Sequence, residues 1–273
     1  MKVLVTGSNS GFGLLSVLSF ARLGHPVVAT MRNLDKAGEL RAAAAKEGLA
    51  IELRRLDVTD EASIAAAIPD PAEFDVVVNN AGFEVQTAIE LLDDDLLDRQ
   101  LDTNVRGPVR VLRRVLAAWR ERGSGVVVNV SSIAGLVAVP YGGAYAASKH
   151  ALEALTEALH YEMKGYGLRF ALVEPGRFET AFDGNVVRPD AWERSPYFER
   201  AARFRTRLST FDAGGSTPDP QLVADAIVRA ALDPATPLRT LVGPDAQTIA
   251  SVRAQGSFEQ FEAAMRAALD WWE

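Results

Sequence analysis

Short apolar runs alternate with longer amphipathic stretches along the first 80 residues of the chain. The apolar runs predict strands at Lys2–Val5, Val27–Thr30, Ile51–Leu56 and Asp75–Val78. The stretches between them carry apolar residues at helical spacing and predict helices at Phe12–Leu23, Asp35–Glu47 and Glu61–Ile68. This part of the chain therefore reads as a regular succession of strand and helix.

The same alternation continues in the later part of the chain. Helices are predicted at Leu96–Ala118 (as one or two helices), Tyr145–Lys164 and Leu222–Leu232, and strands at Gly125–Val130, Arg169–Val173 and Thr240–Val242. Strands such as Val76–Val78 are continuously apolar, which is typical of parallel strands covered by helices on both faces. The pattern predicts an α/β fold with a doubly wound parallel sheet of the Rossmann type.

The segment 182–220 departs from this alternation. It contains several prolines, a glycine pair and the aromatic residues Trp192, Tyr197, Phe198, Phe204 and Phe211. Because it is too long for an ordinary connection, we expect a lid inserted before the last helix and strand of a single domain, 1–273. Its aromatic residues are expected to line a substrate pocket, and the alternative is the core of an inserted helix pair. Trp271 and Trp272 are expected to pack on the body of the protein or on a partner subunit.

Composition excludes several functional classes. The chain has 273 residues and a net charge of −7, which disfavours binding to nucleic acids and to anionic membrane surfaces. It has no cysteine and three histidines, so thiolate chemistry is excluded and no metal site is expected. No targeting segment and no apolar run long enough to span a membrane is visible, and we expect a cytoplasmic protein.

A glycine-rich loop, residues 6–13, lies between the first predicted strand and the first predicted helix. Gly7, Gly11 and Gly13 allow a tight turn and a close approach of backbone to a pyrophosphate, which the amino end of the helix then attracts. The second strand runs into Arg32 and no carboxylate follows it. A guanidinium suits a 2′-phosphate, whereas a carboxylate would favour the ribose hydroxyls of NAD, so the sequence favours NADP over NAD.

Tyr145 and Lys149 lie four residues apart at the start of the long predicted helix and therefore share one face of it. A lysine ammonium beside a phenol lowers the pKa of the phenol, and a tyrosine tuned in this way acts as an acid or base near neutrality. Ser132 follows a predicted strand, at the edge where α/β sheets place their ligands.

Together these motifs resemble the classical short-chain dehydrogenase/reductase family. The matching pieces are the T-G-x-x-x-G-x-G loop, Asp57, Asn79-Asn80-Ala81-Gly82, Asn104, Ser132, the Tyr145–Lys149 pair and Pro175-Gly176, in the family's order and spacing. The resemblance implies that Tyr145 exchanges a proton with the substrate oxygen, while Ser132 orients and polarises the carbonyl. It implies that Lys149 lowers the pKa of Tyr145 and bonds the nicotinamide ribose, and that Asn104 holds a water in a proton relay.

The resemblance also implies a set of cofactor-binding residues. They are Gly7, Ser10, Gly11, Phe12 and Gly13 around the pyrophosphate, Arg32 at the 2′-phosphate, Asp57 and Val58 at the adenine, Asn80, Ala81 and Gly82 near the adenosine ribose, and Tyr145, Lys149, Pro175, Gly176, Phe178 and Thr180 at the nicotinamide end. Phe12 and Phe178 are larger than the family's usual residues and are expected to reshape the pocket.

The sequence thus predicts an NADP-dependent oxidoreductase that interconverts a ketone or aldehyde with the matching alcohol of a mostly apolar small molecule. Two alternatives stay open: an NAD-dependent alcohol dehydrogenase, and a dinucleotide-sensing protein without turnover. A homodimer or homotetramer is expected from the resemblance.

Overall fold

The computed structural model describes residues 1–211 and 218–270, with the side chain of Asp183 left out. Within these residues the strands are β1 (Val3–Val5), β2 (Val27–Met31), β3 (Glu52–Arg55), β4 (Val76–Asn79), β5 (Glu84–Val85), β6 (Gly125–Val130), β7 (Leu168–Pro175), β8 (Val186–Val187) and β9 (Arg239–Val242). The α-helices are α1 (Gly11–Arg22), α2 (Gly38–Glu47), α3 (Glu61–Ala67), α4 (Asp94–Leu101), α5 (Gly107–Arg122), α6 (Gly143–Met163), α7 (Phe198–Thr210), α8 (Gln221–Leu232), α9 (Pro244–Ala254) and α10 (Phe258–Leu269). Residues 212–217 of the predicted lid, and Trp271 and Trp272, lie outside the described residues.

The central sheet has the strand order β3-β2-β1-β4-β6-β7-β9, and every neighbouring pair is parallel. One face packs on α1, α2 and α8, and the other packs on α3, α5 and α6. Val76 and Val78 lie in the first hydrophobic cluster and Val77 in the second, which explains why this strand has no polar position. The predicted doubly wound parallel sheet is confirmed.

The strand order reverses between β1 and β4, because the chain moves outward from β1 to β3 and then returns to the other side of β1. The loops after β1 and β4 therefore diverge at the carboxyl edge of the sheet. Open α/β sheets bind their ligands in the crevice at such a point. The glycine loop and the segment Asn80–Gly82 lie on its two sides.

The predicted helix Leu96–Ala118 is two helices joined by a π-helical turn, Asp102–Arg106. Gly107 follows the turn because a Cβ there would lie 2.9 Å from the side chain of Val58. Single π-helical turns within α-helices are frequent at functional sites. Here the turn carries Asn104 into the interior, where it is 1% exposed.

Two helices that the sequence analysis did not predict, α9 and α10, follow the last strand. Phe261, Met265 and Leu269 of α10 repeat every four residues and pack in one cluster with Phe204 of α7. This spacing was the available signal for α10, whereas α9 mixes small and polar residues without a clear apolar face. Among the described helices, none combines the length and the apolar character needed to cross a membrane.

Candidate active site

The turn between β1 and α1 is fixed against the end of β4 by hydrogen bonds. The Thr6 hydroxyl accepts from the backbone N–H groups of Asn80 and Ala81, each at 3.0 Å. The Asn80 side-chain amide donates to the carbonyl oxygens of Thr6 and Gly7, each at 3.0 Å. Gly7 has a φ of +67°, and a Cβ there would lie 2.8 Å from the Cα of Ala81. Glycine is therefore required here, and the loop leaves bare backbone beside the amino end of α1.

A cleft of about 930 Å³ opens at this edge of the sheet. The predicted cofactor residues that line it are Gly7, Ser10, Gly11, Phe12, Arg32, Asp57, Val58, Asn80, Ala81, Gly82 and Thr180. The predicted site residues outside its lining are Gly13, Asn104, Ser132, Tyr145, Lys149, Pro175, Gly176 and Phe178. Gly13 packs against the Gly7 carbonyl and the Asn80 amide, where a Cβ would overlap both. Phe178 packs edge-on against Phe12, with ring centroids 5.7 Å apart.

Two cations face the cleft after the second strand. Arg32 lies directly beyond β2, and Lys36 lies four residues later in the 3₁₀ turn Leu34–Ala37. Both side chains are exposed, and neither makes a hydrogen bond or ion pair with the residues that the structure describes. The sequence analysis identified Arg32 but missed Lys36, although its spacing from Arg32 was the available signal.

Asp57 lies after β3 on the same cleft. Its carboxylate accepts hydrogen bonds from the backbone N–H of Thr59 at 3.0 Å and from the Thr59 hydroxyl at 2.7 Å. Burial acts to raise the pKa of Asp57, but these bonds and the positive charges of Arg32 and Arg55 outweigh it and lower the pKa. Asp57 is thus held ionised and oriented at the rim.

Ser132, Tyr145 and Lys149 meet at the carboxyl end of β6. Tyr145 and Lys149 lie on the first turns of α6, and the Ser132 side chain lies close enough to the Tyr145 phenol to influence its pKa. The Lys149 amine donates to the carbonyl oxygen of Val130 at 2.8 Å and lies 5.5 Å from the centre of the Tyr145 ring. The structure therefore brings together three of the four predicted catalytic side chains.

The acidities in this group depend mainly on burial. Burial raises the pKa of Tyr145, and the negative charge of Glu84 raises it further, against the opposing effect of the nearby Ser132 side chain. Burial lowers the pKa of Lys149 to about 8, although the negative charge of Glu153 opposes this shift. The sequence analysis expected Lys149 to lower the pKa of Tyr145, whereas the net shift in the structure is upward because burial dominates.

Asn104, the fourth predicted catalytic residue, connects three segments of the site. Its side-chain oxygen accepts from the backbone N–H of Phe83 at 3.2 Å, and its side-chain amide donates to the Phe83 carbonyl at 3.0 Å. The same amide donates to the Ser148 hydroxyl at 3.2 Å. Asn104 thereby ties the loop after β4 to the helix that carries Tyr145 and Lys149.

The turn after β7 is held by the last part of the chain. The Asp245 carboxylate, at the amino end of α9, accepts a hydrogen bond from the backbone N–H of Arg177 at 2.7 Å. A Cβ on Gly176 would overlap this carboxylate, so Gly176 is required for the contact. The Pro175–Arg177 turn is thus locked by a residue that sequence reasoning did not single out.

The inserted segment reaches the site through two short strands and an ion pair. Its β8 pairs with β5, and Arg205 of α7 forms an ion pair with Glu84 of β5. Phe182 lines the cleft, and its ring centroid lies 6.1 Å from that of Tyr145.

Two other aromatic residues of the segment do not line a substrate pocket as expected. Trp192 and Phe204 are buried in separate hydrophobic clusters, because Tyr141 and α10 provide apolar partners for them. For these residues the alternative of an inserted core is the better description.

A model of the family described as short chain dehydrogenase matches residues 1–191 of the chain. The chain belongs to the short-chain dehydrogenase family. It is therefore an NAD(P)-dependent oxidoreductase that acts on CH–OH groups.

Several curated proteins are similar to this dehydrogenase. The uncharacterized oxidoreductase YusZ of Bacillus subtilis is 36% identical over 84% of the dehydrogenase and 83% of the relative. The 3-ketodihydrosphingosine reductase of Bacteroides thetaiotaomicron is 30% identical, with 90% and 89% covered. The bovine (Bos taurus) retinol dehydrogenase 8 is 34% identical, with 87% and 80% covered.

Solved structures agree with this assignment. A short-chain dehydrogenase from Streptomyces avermitilis superposes with a TM-score of 0.80 at 33% identity, with 97% of both chains covered. A gluconate 5-dehydrogenase from Burkholderia cenocepacia, in complex with NADP and tartrate, has a TM-score of 0.72 at 26% identity, with 90% of the dehydrogenase and 95% of that chain covered.

Proposed function

We propose that this dehydrogenase uses NADP and interconverts a ketone or aldehyde with the matching alcohol of a mostly apolar small molecule. The observation that carries the cofactor preference is the pair Arg32 and Lys36 at the cleft after β2, where NAD would require a carboxylate. Two positive charges there suit a 2′-phosphate. The NADP complex of the similar gluconate 5-dehydrogenase supports the same preference.

The remaining cleft residues fit a dinucleotide. The backbone of the Gly7–Phe12 loop and the amino end of α1 would hold the pyrophosphate, since the absence of side chains at Gly7 and Gly11 leaves room for it. Asp57 and Val58 would contact the adenine, and Asn80–Gly82 would pass near the adenosine ribose. When bound, NADPH supplies the hydride, and the protein supplies position and a proton.

The catalytic side chains have separate roles in this proposal. Tyr145 donates its phenolic proton to the carbonyl oxygen during reduction, and accepts a proton from the alcohol during oxidation. Ser132, which lies beside the Tyr145 phenol, orients the same substrate oxygen. Lys149 holds a positive charge beside the phenol and bonds the nicotinamide ribose. Asn104 holds the loop after β4 against the helix that carries Tyr145 and Lys149.

An apolar substrate suits the aromatic side chains near Tyr145. Phe182 packs against Tyr145 and lines the cleft, and Phe12 forms part of the same wall with Phe178 behind it. The two relatives named for 3-ketodihydrosphingosine and retinol act on apolar molecules, which favours the same substrate class here. The segment that contains Phe182 would then serve as the lid over this substrate.

Fluorescence titration of the protein with NADPH and with NADH tests the cofactor proposal. Arg32→Ala is expected to weaken NADPH binding roughly 10- to 100-fold, the range of a charge-assisted hydrogen bond, and to leave NADH binding unchanged. Arg120→Ala is the matched control, because Arg120 is an exposed arginine on α5 away from the cleft. Equal affinity for NADPH and NADH in the wild type would overturn the NADP assignment.

A second experiment tests the role of Tyr145. Tyr145→Phe removes the proton donor and is expected to reduce NADPH oxidation with a panel of apolar ketones by about 10²- to 10⁴-fold. Its NADPH affinity is expected to stay near that of the wild type. Turnover in Tyr145→Phe equal to that of the wild type would overturn the role proposed for Tyr145.

A further inference from the structure

A group of charged side chains lies directly behind the catalytic residues. Arg239 of β9 donates to the Glu174 carboxylate of β7 at 2.6 Å and to the Glu157 carboxylate of α6 at 2.7 Å. It also donates to the carboxylate of Glu153 of α6. The side chains of Glu153 and Glu174 are only 5% and 1% exposed, whereas that of Glu157 is 45% exposed. We call these four residues the Arg239 cluster.

The cluster is connected to the catalytic residues through the chain. Glu153 follows Lys149 by one helical turn on the same buried side of α6. Glu174 directly precedes the Pro175–Arg177 turn. Gly135 makes room for this arrangement, because a Cβ there would lie 2.8 Å from the Glu153 side chain and 2.9 Å from the Ser131 hydroxyl. A carboxylate is thus placed behind the segment that carries Ser132.

The cluster holds one arginine for three carboxylates, so its members cannot all be ionised at low cost. Burial raises the pKa of Glu174 to about 7, and the negative charge of the adjacent Glu153 carboxylate adds to the shift. Glu153, which also accepts a hydrogen bond from Arg239, acts on Lys149 as a negative charge.

That charge has a consequence for Lys149. The charged and titratable groups around the Lys149 amine are Tyr145 and Glu153 on α6, with Glu174 of β7 and Arg239 of β9 behind Glu153 and Glu84 of β5 acting on Tyr145. Burial alone favours the neutral amine, which would no longer stabilise a phenolate or a developing negative charge. Glu153 is the group that opposes this loss.

We propose that Glu153 is a positioning residue that supplies the counter-charge for Lys149 and keeps its amine protonated at neutral pH, with Arg239 and Glu174 holding Glu153 in place. The proposal rests on the role assigned to Lys149 in the proposed function. The Arg239 cluster would then influence the protonation state of a catalytic residue in addition to joining α6, β7 and β9.

The protonation state of Lys149 can be measured directly by ¹³C NMR with lysine labelled at Cε. The chain has five lysines, and the Lys149 signal is the one that disappears in Lys149→Arg. In the wild type we expect a titration midpoint near pH 8. In Glu153→Gln the midpoint is expected to fall by about one pH unit or more, the usual effect of removing a nearby opposite charge.

Two matched variants distinguish the counter-charge from a general disturbance of the cluster. Glu157→Gln removes another carboxylate bonded to Arg239, on the same helix but one turn further and half exposed, and is expected to leave the midpoint unchanged. Glu174→Gln removes a carboxylate that lies behind Glu153 as seen from Lys149, and is expected to shift the midpoint clearly less than Glu153→Gln. An unchanged midpoint in Glu153→Gln, or an equal shift in Glu157→Gln, would overturn the proposal.

A folding defect in Glu153→Gln is separated from the proposed effect by a double variant. Glu153→Gln with Arg239→Met removes Glu153 together with the arginine that bonds it, leaves Glu174 able to take up a proton, and is expected to fold with the same low midpoint. A wild-type midpoint in the double variant also contradicts the proposal.

Cofactor binding provides a second readout. NADPH affinity in Glu153→Gln is expected to match the wild type at pH 6, where Lys149 is protonated in both, and to decline at a lower pH than in the wild type. Absence of NADPH binding by the wild type would refute the proposed function, whereas the NMR midpoint tests Glu153 independently of it.

Discussion

Two charged clusters involve the two edge strands of the central sheet, β3 and β9, and differ in balance and in exposure. At β3, Lys2 and Arg54 pair with Glu52 and Glu73, giving two positive and two negative charges on side chains that are 19% to 49% exposed. At β9, the Arg239 cluster has one positive charge for three carboxyl groups, two of which are almost fully buried.

The same residue type responds in opposite directions in these two places. Hydrogen bonding from Arg54, helped by Lys2, outweighs a modest burial effect and lowers the pKa of Glu73 to about 2. Burial and a neighbouring carboxylate raise the pKa of Glu174 to about 7 despite its bond to Arg239. A partly exposed cluster with equal numbers of positive and negative charges thus keeps its carboxylates ionised. A buried cluster with more carboxylates than cations instead favours the protonated form of one carboxyl group, here beside the active site.

The largest expected effect comes from removing the single cation of the buried cluster. Arg239→Met leaves Glu153 as an uncompensated buried charge and is expected to lower the free energy of unfolding at pH 8 by about 3–5 kcal/mol. Urea unfolding followed by circular dichroism measures this loss. Arg54→Met in the exposed cluster is the counterpart, with an expected loss of about 1–2 kcal/mol. Equal losses in the two variants would contradict the comparison.

The next effect concerns the stability of the buried cluster at rising pH. The pKa of Glu174 in the folded protein, about 7, is above the ordinary value of 4.5. Its contribution is therefore complete below about pH 4.5 and is lost as the pH rises to about 7. Glu174→Gln, which cannot ionise, is expected to reduce the decline in unfolding free energy between pH 5 and 8 by about 2 kcal/mol, measured in urea at each pH. If the free energy of unfolding of Glu174→Gln falls as steeply as that of the wild type, Glu174 does not have a raised pKa in the folded protein.

The exposed cluster is expected to respond on the acid side. Because the pKa of Glu73 is lowered from 4.5 to about 2, its contribution is present above about pH 4.5 and is lost as the pH falls towards 2. Glu73→Gln is expected to lower stability at pH 7 by about 1 kcal/mol and to make it less sensitive to acid. Thermal unfolding between pH 7 and 3 measures both effects, and an unaltered acid dependence would remove Glu73 from the explanation.

The smallest effect is expected within the buried cluster itself. Glu157 is half exposed, so Glu157→Gln loses an ion pair that water largely replaces, at a cost of about 0.5 kcal/mol. The same urea measurement detects it. A loss above about 2 kcal/mol would mean that exposure does not separate the two kinds of pair.

The amino-terminal part of the fold was predictable because its patterns are local. Continuous apolar runs gave β1, β4 and β6, and the glycines around them gave the turns, so the parallel sheet was confirmed. The helices α9 and α10 were not predicted, and α7 was covered only by the alternative of an inserted helix pair, because these helices stabilise one another through tertiary contacts such as Phe204 with Phe261. The spacing of apolar residues along the chain does not show which helices contact one another.

The residues of the candidate site likewise fall into a predictable group and an unpredictable one. Ser132, Tyr145 and Lys149 follow from spacing and resemblance, and the structure brings them together, although their roles stay predictions. Glu153, Glu174 and Arg239 gave no sequence signal, because charged residues in strands and helices usually indicate a solvated face. Only the packing of α6 against β7, with the bonds from Arg239 to both elements, shows that Glu153 and Glu174 are buried together.

The hydrogen bond from Arg177 to Asp245 sets a lower limit on how far the enzyme can be shortened. A chain ending at Val242 would keep every strand of the sheet, yet the amide of Arg177 would lose its acceptor and Gly176 would face empty space. A deletion that removes Asp245 would therefore loosen the turn after β7 while leaving the sheet intact. A shortened dehydrogenase that keeps this hydrogen bond extends at least to Asp245, beyond the last strand of its sheet.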